Sequence, residues 1–361
     1  MNPVLKQVSG LQARSAQMPI SLRPLKWLTA AALAAVALGA QAETAYRLKL
    51  MVSPPGTSSA DGLGVNSSGT VAGRAFSTEY NAIRWVEGQP QALDRYAVPY
   101  GLNDVGDVVG QLSSQGMVWH ADGRRTPLRS PDGDDAASVA TAIAPSGMTA
   151  GLALVADQWQ AVRWDPTGAV SLLKGLCEGC TSFAYGIASG GWTVGQVHRS
   201  AGFDPFPRAA LWRGRQLTDL GALHPDDGTL ARGVNAQGVA VGYRATGWAM
   251  DHLYAMRWQD GQATTLPTLA DDPNSRCEAF AVNDHGDIVG YCTAPDFQRR
   301  AVLWRRAGGI RDLNTQLPQR LRDAGWRLST ATALSQNGYI TGEARNTRTG
   351  ETRAYRLERL R

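Results

Sequence analysis

The chain has 361 residues, with 36 Lys and Arg against 31 Asp and Glu, a formal charge of +5. Residues 1–42 hold Lys6, Arg14, Arg23 and Lys26 and no acid, so beyond them the charge falls to +1 and the electrostatic case for nucleic acid as a partner disappears. With 40 Gly and 19% charged residues, the composition suits many strands and tight turns rather than helices.

The first predicted element is an export leader over residues 1–42. Arg23 and Lys26 precede an apolar run over 27–38, and Ala40, Gln41 and Ala42 form a small-x-small cleavage site. Met18 would give a leader of more ordinary length. The run is too short to span a bilayer comfortably, no Cys follows it for a lipid anchor, and no membrane anchor is expected. Cleavage leaves 319 residues starting at Glu43. A soluble exported protein is expected, periplasmic or extracellular. Next comes a strand over 46–52, where Tyr46, Leu48, Leu50 and Val52 alternate with other residues.

From there a ten-residue pattern returns seven times: a small residue, Val/Ile/Leu, Asn/Ala/Ser, two residues, Gly, three residues, Gly. Its hairpins start near residues 62, 100, 140, 184, 231, 279 and 331. The first turn position is Asn66, Asn103, Ala144, Ala188, Asn235, Asn283 and Ser335, where Asn bonds the backbone two residues on. The turn glycine is Gly69, Gly106, Gly147, Gly191, Gly238, Gly286 and Gly338, expected to take positive φ and close the hairpin through a bulge. The second glycine of each copy is Gly73, Gly110, Gly151, Gly195, Gly242, Gly290 and Gly342, spaced by 37 to 52 residues. Two positions before each turn stands Gly or Ala, as a strand crowded around a channel requires.

A third strand follows each hairpin and ends in Trp85, Trp119, Trp164, Trp212, Trp258 and Trp304, with Leu357 in the last copy. One Trp per repeat suits an apolar filler between sheets better than a ligand platform. Six copies have a fourth strand, and the seventh has only four residues left after Leu357. Strand 46–52 supplies the missing one. The expectation is an all-β, seven-bladed β-propeller over 43–361, built of four-stranded antiparallel blades and closed by the N-terminal strand joining the last blade. A monomer is expected.

Four cysteines follow the leader. Cys277 and Cys292 stand six residues either side of the sixth turn, opposite or one step off register, within bridging reach. Cys177 and Cys180 can close locally. Thr181 stands where haem attachment would need His, and a redox CxxC would need a βαβ context, so two structural disulfides are expected.

The repeat, small-apolar-Asn-x-x-Gly-x-apolar-apolar-Gly followed by Ala-x-x-Trp, resembles that of the HAF-repeat family of exported bacterial proteins over residues 60–357, as do Gly325, Trp326, Arg327 and Leu328. The position of that family's His is Asn81, Gln115, Gln160, Arg208, Tyr254, Arg300 and Arg353 here, which excludes a histidine ring as a site. The resemblance implies export and a repeat fold, and no reaction.

Tight turns take one end of the predicted blades, and variable loops take the other. Function is expected on the variable loops, at 131–135, 198–207, 224–228, 245–253, 269–274 and 291–298. The candidate ligand-binding residues are Phe203, Asp204, Phe206, Asp226, Asp227, Trp248, Asp251, His252, Asp271, Asp272 and Phe297. Aromatic rings beside Asp and His would suit sugar faces and hydroxyls, while packing between loops is the plainer use. The acid pairs Asp134-Asp135, Asp226-Asp227 and Asp271-Asp272 offer weak support for calcium, without EF-hand spacing, and solvated loop acids are the plainer reading. No metal ligand set and no cofactor are expected. HExxH, GxSxG and a P-loop are absent, and no catalytic residue is named. The leading expectation is a non-enzymatic binding scaffold for a glycan or a protein. The alternative is a periplasmic or secreted propeller enzyme acting on glycans or small molecules, with Asp204, Asp226, Asp251 or Asp271 as acids or bases.

Overall fold

The computed structural model describes residues 46–77, 80–202, 204–247 and 252–360. The expected leader, Phe203, Trp248 and Asp251 lie outside the described residues. Among the described residues no helix is long and apolar enough to cross a membrane.

The fold is all-β. Five antiparallel sheets of four strands each follow one another along the chain, and a sixth, mixed sheet has eight strands. That larger sheet consists of two antiparallel quartets joined by one parallel bridge, Ser59 to Thr352. One quartet holds Ser59–Val65 and the three strands after it. The other holds Trp326–Leu334, Ile340–Asn346, Thr352–Arg359 and the N-terminal strand Tyr46–Leu50. Tyr46 pairs with Arg359 and Leu50 with Tyr355, so the first described strand lies antiparallel on the last.

All seven hairpin turns share a backbone bond from the first turn residue to the carbonyl four residues on, and the Asn and Ser turns add side-chain bonds. The Asn66 amide bonds the Thr70 carbonyl, and Asn66 Oδ1 accepts from the amides of Ser68 and Thr70 at 3.2 and 2.9 Å. Gly69 takes φ 78°, where a side chain is strained. Its amide returns to the Asn66 carbonyl at 3.0 Å, which is the bulge expected at the turn glycine. A second irregularity lies within the sheet. The register shifts within the first strand, between Gly62 and Gly64, Pro99 and Gly101, and Ala184 and Gly186, and likewise in the other repeats. This second bulge lies beside the pair made with the second glycine of the motif, as at Gly62 and Gly73.

The once-per-repeat tryptophans are structural. Trp85, Trp164 and Trp212 are fully buried, and their indole N–H groups donate to the carbonyls of Val52, Arg129 and Lys174 at 2.7 to 2.8 Å. Each therefore pins the loop entering its own repeat while filling the space between sheets. Neighbouring repeats are also stitched by polar bonds. The amides of Gly116, Ala161 and Ala209 donate to the hydroxyls of Ser138, Ser182 and Thr229, each at 2.9 Å. Asn66 Nδ2 reaches the Asn103 carbonyl, and Asn235 Nδ2 the Asn283 carbonyl, both at 3.1 Å. The last repeat is bonded to the first: Asn337 Nδ2 donates to the Ser67 carbonyl at 2.7 Å, and the Thr332 hydroxyl to the Gly62 carbonyl.

Both cysteine pairs stand at disulfide distance. Cys277 lies directly opposite Cys292, with Cα atoms 4.1 Å apart, and Cys177 and Cys180 have theirs 5.3 Å apart. Cys277 occupies the strand position at which Ser138, Ser182 and Thr229 make their stitching bonds. Replacing Cys277 and Cys292 together by Ala is expected to cost about 3 kcal/mol, the entropy of a loop of this length. Peptide mapping without reduction should recover the Cys277–Cys292 link, and a Cys177–Cys277 link would overturn the pairing.

Candidate functional site

The first strands of all the repeats converge on one cavity of about 200 Å³. Two layers of side chains line it. Toward the tight turns lies an apolar collar of Val65, Leu102, Ile143, Ile187, Val234, Val282 and Leu334, the residue just before each turn. The second layer is the bulged residue, which varies among the copies: Leu63, Tyr100, Thr141, Tyr185, Arg232 and Phe280 line the cavity, and the seventh, Thr332, bonds the Gly62 carbonyl instead. The bulge removes this residue from strict alternation, so its side chain is released from the packing between sheets and becomes free to vary.

Variation concentrates chemistry in three consecutive repeats. Arg232 lies between two rings, 5.5 Å from the Tyr185 centroid and 5.9 Å from the Phe280 centroid. Its Nε donates to Glu278 Oε1 at 2.9 Å. Burial opposes the guanidinium's charge, and the Glu278 carboxylate more than offsets this, so its pKa is raised. The rings continue on both sides. Phe183 stacks on Tyr185 at 6.2 Å and meets His198 at 6.1 Å. Phe280 meets Tyr291 at 5.8 Å, and Arg299 covers Tyr291 at 4.4 Å. The run therefore reaches from the 198–207 loop to the edge of the 291–298 loop, on the loop side of the collar. Among the described residues the hydroxyls of Tyr185, Tyr243 and Tyr291 have no hydrogen-bond partner. Burial pushes the Tyr185 phenol up to about 12 and raises those of Tyr243 and Tyr291 as well. These phenols remain neutral donors at physiological pH.

The structure disperses the residues expected from sequence. Asp204 is buried and serves its own loop, accepting from the amides of Arg199 and Phe206 at 2.7 and 3.0 Å and pairing with the Arg199 guanidinium. Burial would raise its pKa, but these donors outweigh burial and lower it. Phe206 is buried, so it packs the loop. Asp227 is 3% exposed and pairs with Arg244 at 3.1 Å. Asp272 bonds the Asn274 amide at 2.9 Å, tying a turn. Asp226 and Asp271 are exposed. His252 packs on Tyr254 at 5.6 Å. Phe297, 88% exposed and two residues from Arg299, remains an open surface near the aromatic run. Among the described residues no three His, Cys, Asp or Glu side chains are gathered as a metal site needs.

Sequence reasoning missed Tyr185, Arg232, Glu278, Phe280 and Tyr291. One signal was present: the residue before the small position holds Tyr, Arg and Phe in a motif otherwise confined to small and branched residues.

No family model matches the chain, and no curated protein does. Solved structures do match. One, titled a streptogramin B lyase structure, is 12% identical over 87% of this chain and 98% of its own length, with a TM-score of 0.55. The fold is that of a β-propeller. A puromycin hydrolase is 12% identical over 84% of this chain and 55% of its own, at a TM-score of 0.56. The extracellular domain of a one component system from B. thetaiotaomicron is 10% identical over 87% of this chain and 40% of that one, at 0.52. At such identities the likeness shows the fold alone, and these neighbours include a lyase, a hydrolase and an extracellular domain. The resemblance to HAF repeats rests on the repeat residues themselves.

Proposed function

We propose that the chain is an exported, closed, seven-bladed β-propeller that binds its ligand without transforming it, and that the ligand is a glycan held on the loop side of the collar. Closure is supported by the strand pairing of Tyr46–Leu50 with Thr352–Arg359 and by the bonds from Thr332 and Asn337 back to the first repeat. Export is supported by the leader-like residues 1–42 and by the two cysteine pairs. The observation that carries the binding reading is the pair of cavity-lining rings, Tyr185 and Phe280, around Arg232. Ring faces stack on the apolar faces of sugars, and neutral phenols and a fixed guanidinium meet hydroxyl groups.

Acid–base catalysis would call for a carboxyl group held protonated near neutrality. Among the described residues, which leave out Asp251, the carboxylates displaced from their ordinary values, Asp122, Asp165, Asp204 and Asp296, are all displaced downward. Screening the chain beginning at Glu43 against immobilised glycans, with native mass spectrometry of any bound fraction, tests the reading. Tyr185→Ala and Phe280→Ala should each weaken binding at least tenfold while the chain still unfolds cooperatively. Release of a cleaved or rearranged sugar, or binding indifferent to both substitutions, would overturn it.

A further inference from the structure

We propose that the Arg232 site selects sugars bearing a carboxylate, the uronic acids, over their neutral counterparts. This deepens the glycan reading and rests on it. The geometry points to Arg232 because only one edge of its guanidinium is engaged. Glu278 takes Nε, and the two Nη groups have no acceptor among the described residues, while the side chain keeps 36% of its surface accessible. Arg74 in the first repeat is a contrast: Asp61 engages both its Nε and its Nη2, so that pair is already closed.

Glu278 is 7% exposed and fixed in its strand opposite Tyr291, so it sets the plane and direction of the Arg232 fork. The Tyr185 and Phe280 rings confine that fork from both sides. The free edge therefore presents two parallel N–H groups to the cavity, the geometry that receives a carboxylate in a bidentate pair. A sugar ring stacked on Tyr185 or Phe280 brings a carboxylate on its C5 to the height of the guanidinium. Its hydroxyls meet the unpartnered phenol of Tyr185. Because Glu278 already balances Arg232, a neutral sugar enters without leaving a buried cation unpaired. Selection then comes from the added charge-assisted pair.

The test compares oligomers of galacturonate, glucuronate and mannuronate with their methyl esters, which keep the ring and remove the charge. Calorimetry on the chain beginning at Glu43 is expected to show at least one acid binding tenfold or more tighter than its ester, a gap that narrows as salt is raised. Arg232→Gln alone strands Glu278, so the decisive variant is R232Q/E278Q, which removes both charges. It should remain folded and bind the acid and its ester with equal affinity, the tenfold preference gone. Equal affinity for acid and ester, or a preference surviving in R232Q/E278Q, overturns the selection for carboxylates and leaves the glycan reading standing. Binding of no sugar, charged or neutral, overturns both.

Discussion

A chain that begins at Gly56 is expected to be insoluble, or to melt about 10–20 °C below the chain that begins at Glu43. The missing segment is small, but its partners are central. Tyr46, Leu48 and Leu50 pack on the cluster that holds Leu328, Tyr355 and Leu357, and Met51 is 2% exposed in the next cluster. The Met51 amide bonds the Ala354 carbonyl at 2.9 Å, and the Val52 carbonyl receives the Trp85 indole. Loss of this apolar burial is worth on the order of 5 kcal/mol, within the range of a whole domain's stability. It also bares the edge of Thr352–Arg359, a template for intermolecular pairing. Thermal melting and light scattering decide the matter. If the shortened chain melts with the longer one, the closed ring loses its main support.

Gly195→Ala is expected to destabilise by about 3 kcal/mol, although it adds a single methyl group. A Cβ at Gly195 would overlap the Phe183 carbonyl oxygen, and that oxygen is backbone, unable to turn aside. The same overlap awaits at Gly73, Gly110, Gly151, Gly242, Gly290 and Gly342, each against the carbonyl three residues before the small position of its own repeat. Gly191, a turn glycine with φ 78° and open space around it, is the control. Gly191→Ala should cost only about 1 kcal/mol, the strain of a left-handed alanine. Chemical denaturation of the two variants separates these effects, and equal losses would show that the overlap is relieved by a backbone shift.

Much of the fold was legible because it repeats. Asn66 and its equivalents, the turn glycines and the terminal tryptophans each answer one local demand, and the demand recurs in every repeat. The pairing of the 46–52 segment with the last repeat followed from counting strands, and the face it buries, Tyr46, Leu48 and Leu50, needed the structure to choose it. The candidate site was far less legible. Repetition points away from it, since the bulged position holds five residue types over seven copies. The loop acids drew attention by being charged, yet Asp204 and Asp227 are occupied in bonding their own surroundings. A sequence does not distinguish a carboxylate turned to solvent from one folded back on loop amides. The second motif glycine was visible as a pattern, but its cause lay in the bulge across the strand, which the turn chemistry does not announce.

The pairing of Tyr46–Leu50 with Thr352–Arg359 also orders events in time. A ribosome makes the first of these strands about 300 residues before its partner, so the strand must wait, unpaired, while every other sheet forms from neighbours close in sequence. Assembly ends with its most distant contact. A copy cut short at any point before Thr352 keeps Tyr46–Leu50 without its ladder, and the frayed strand offers proteases an entry. The molecule thereby carries a check on its own completeness: survival goes to chains that reached their last strand.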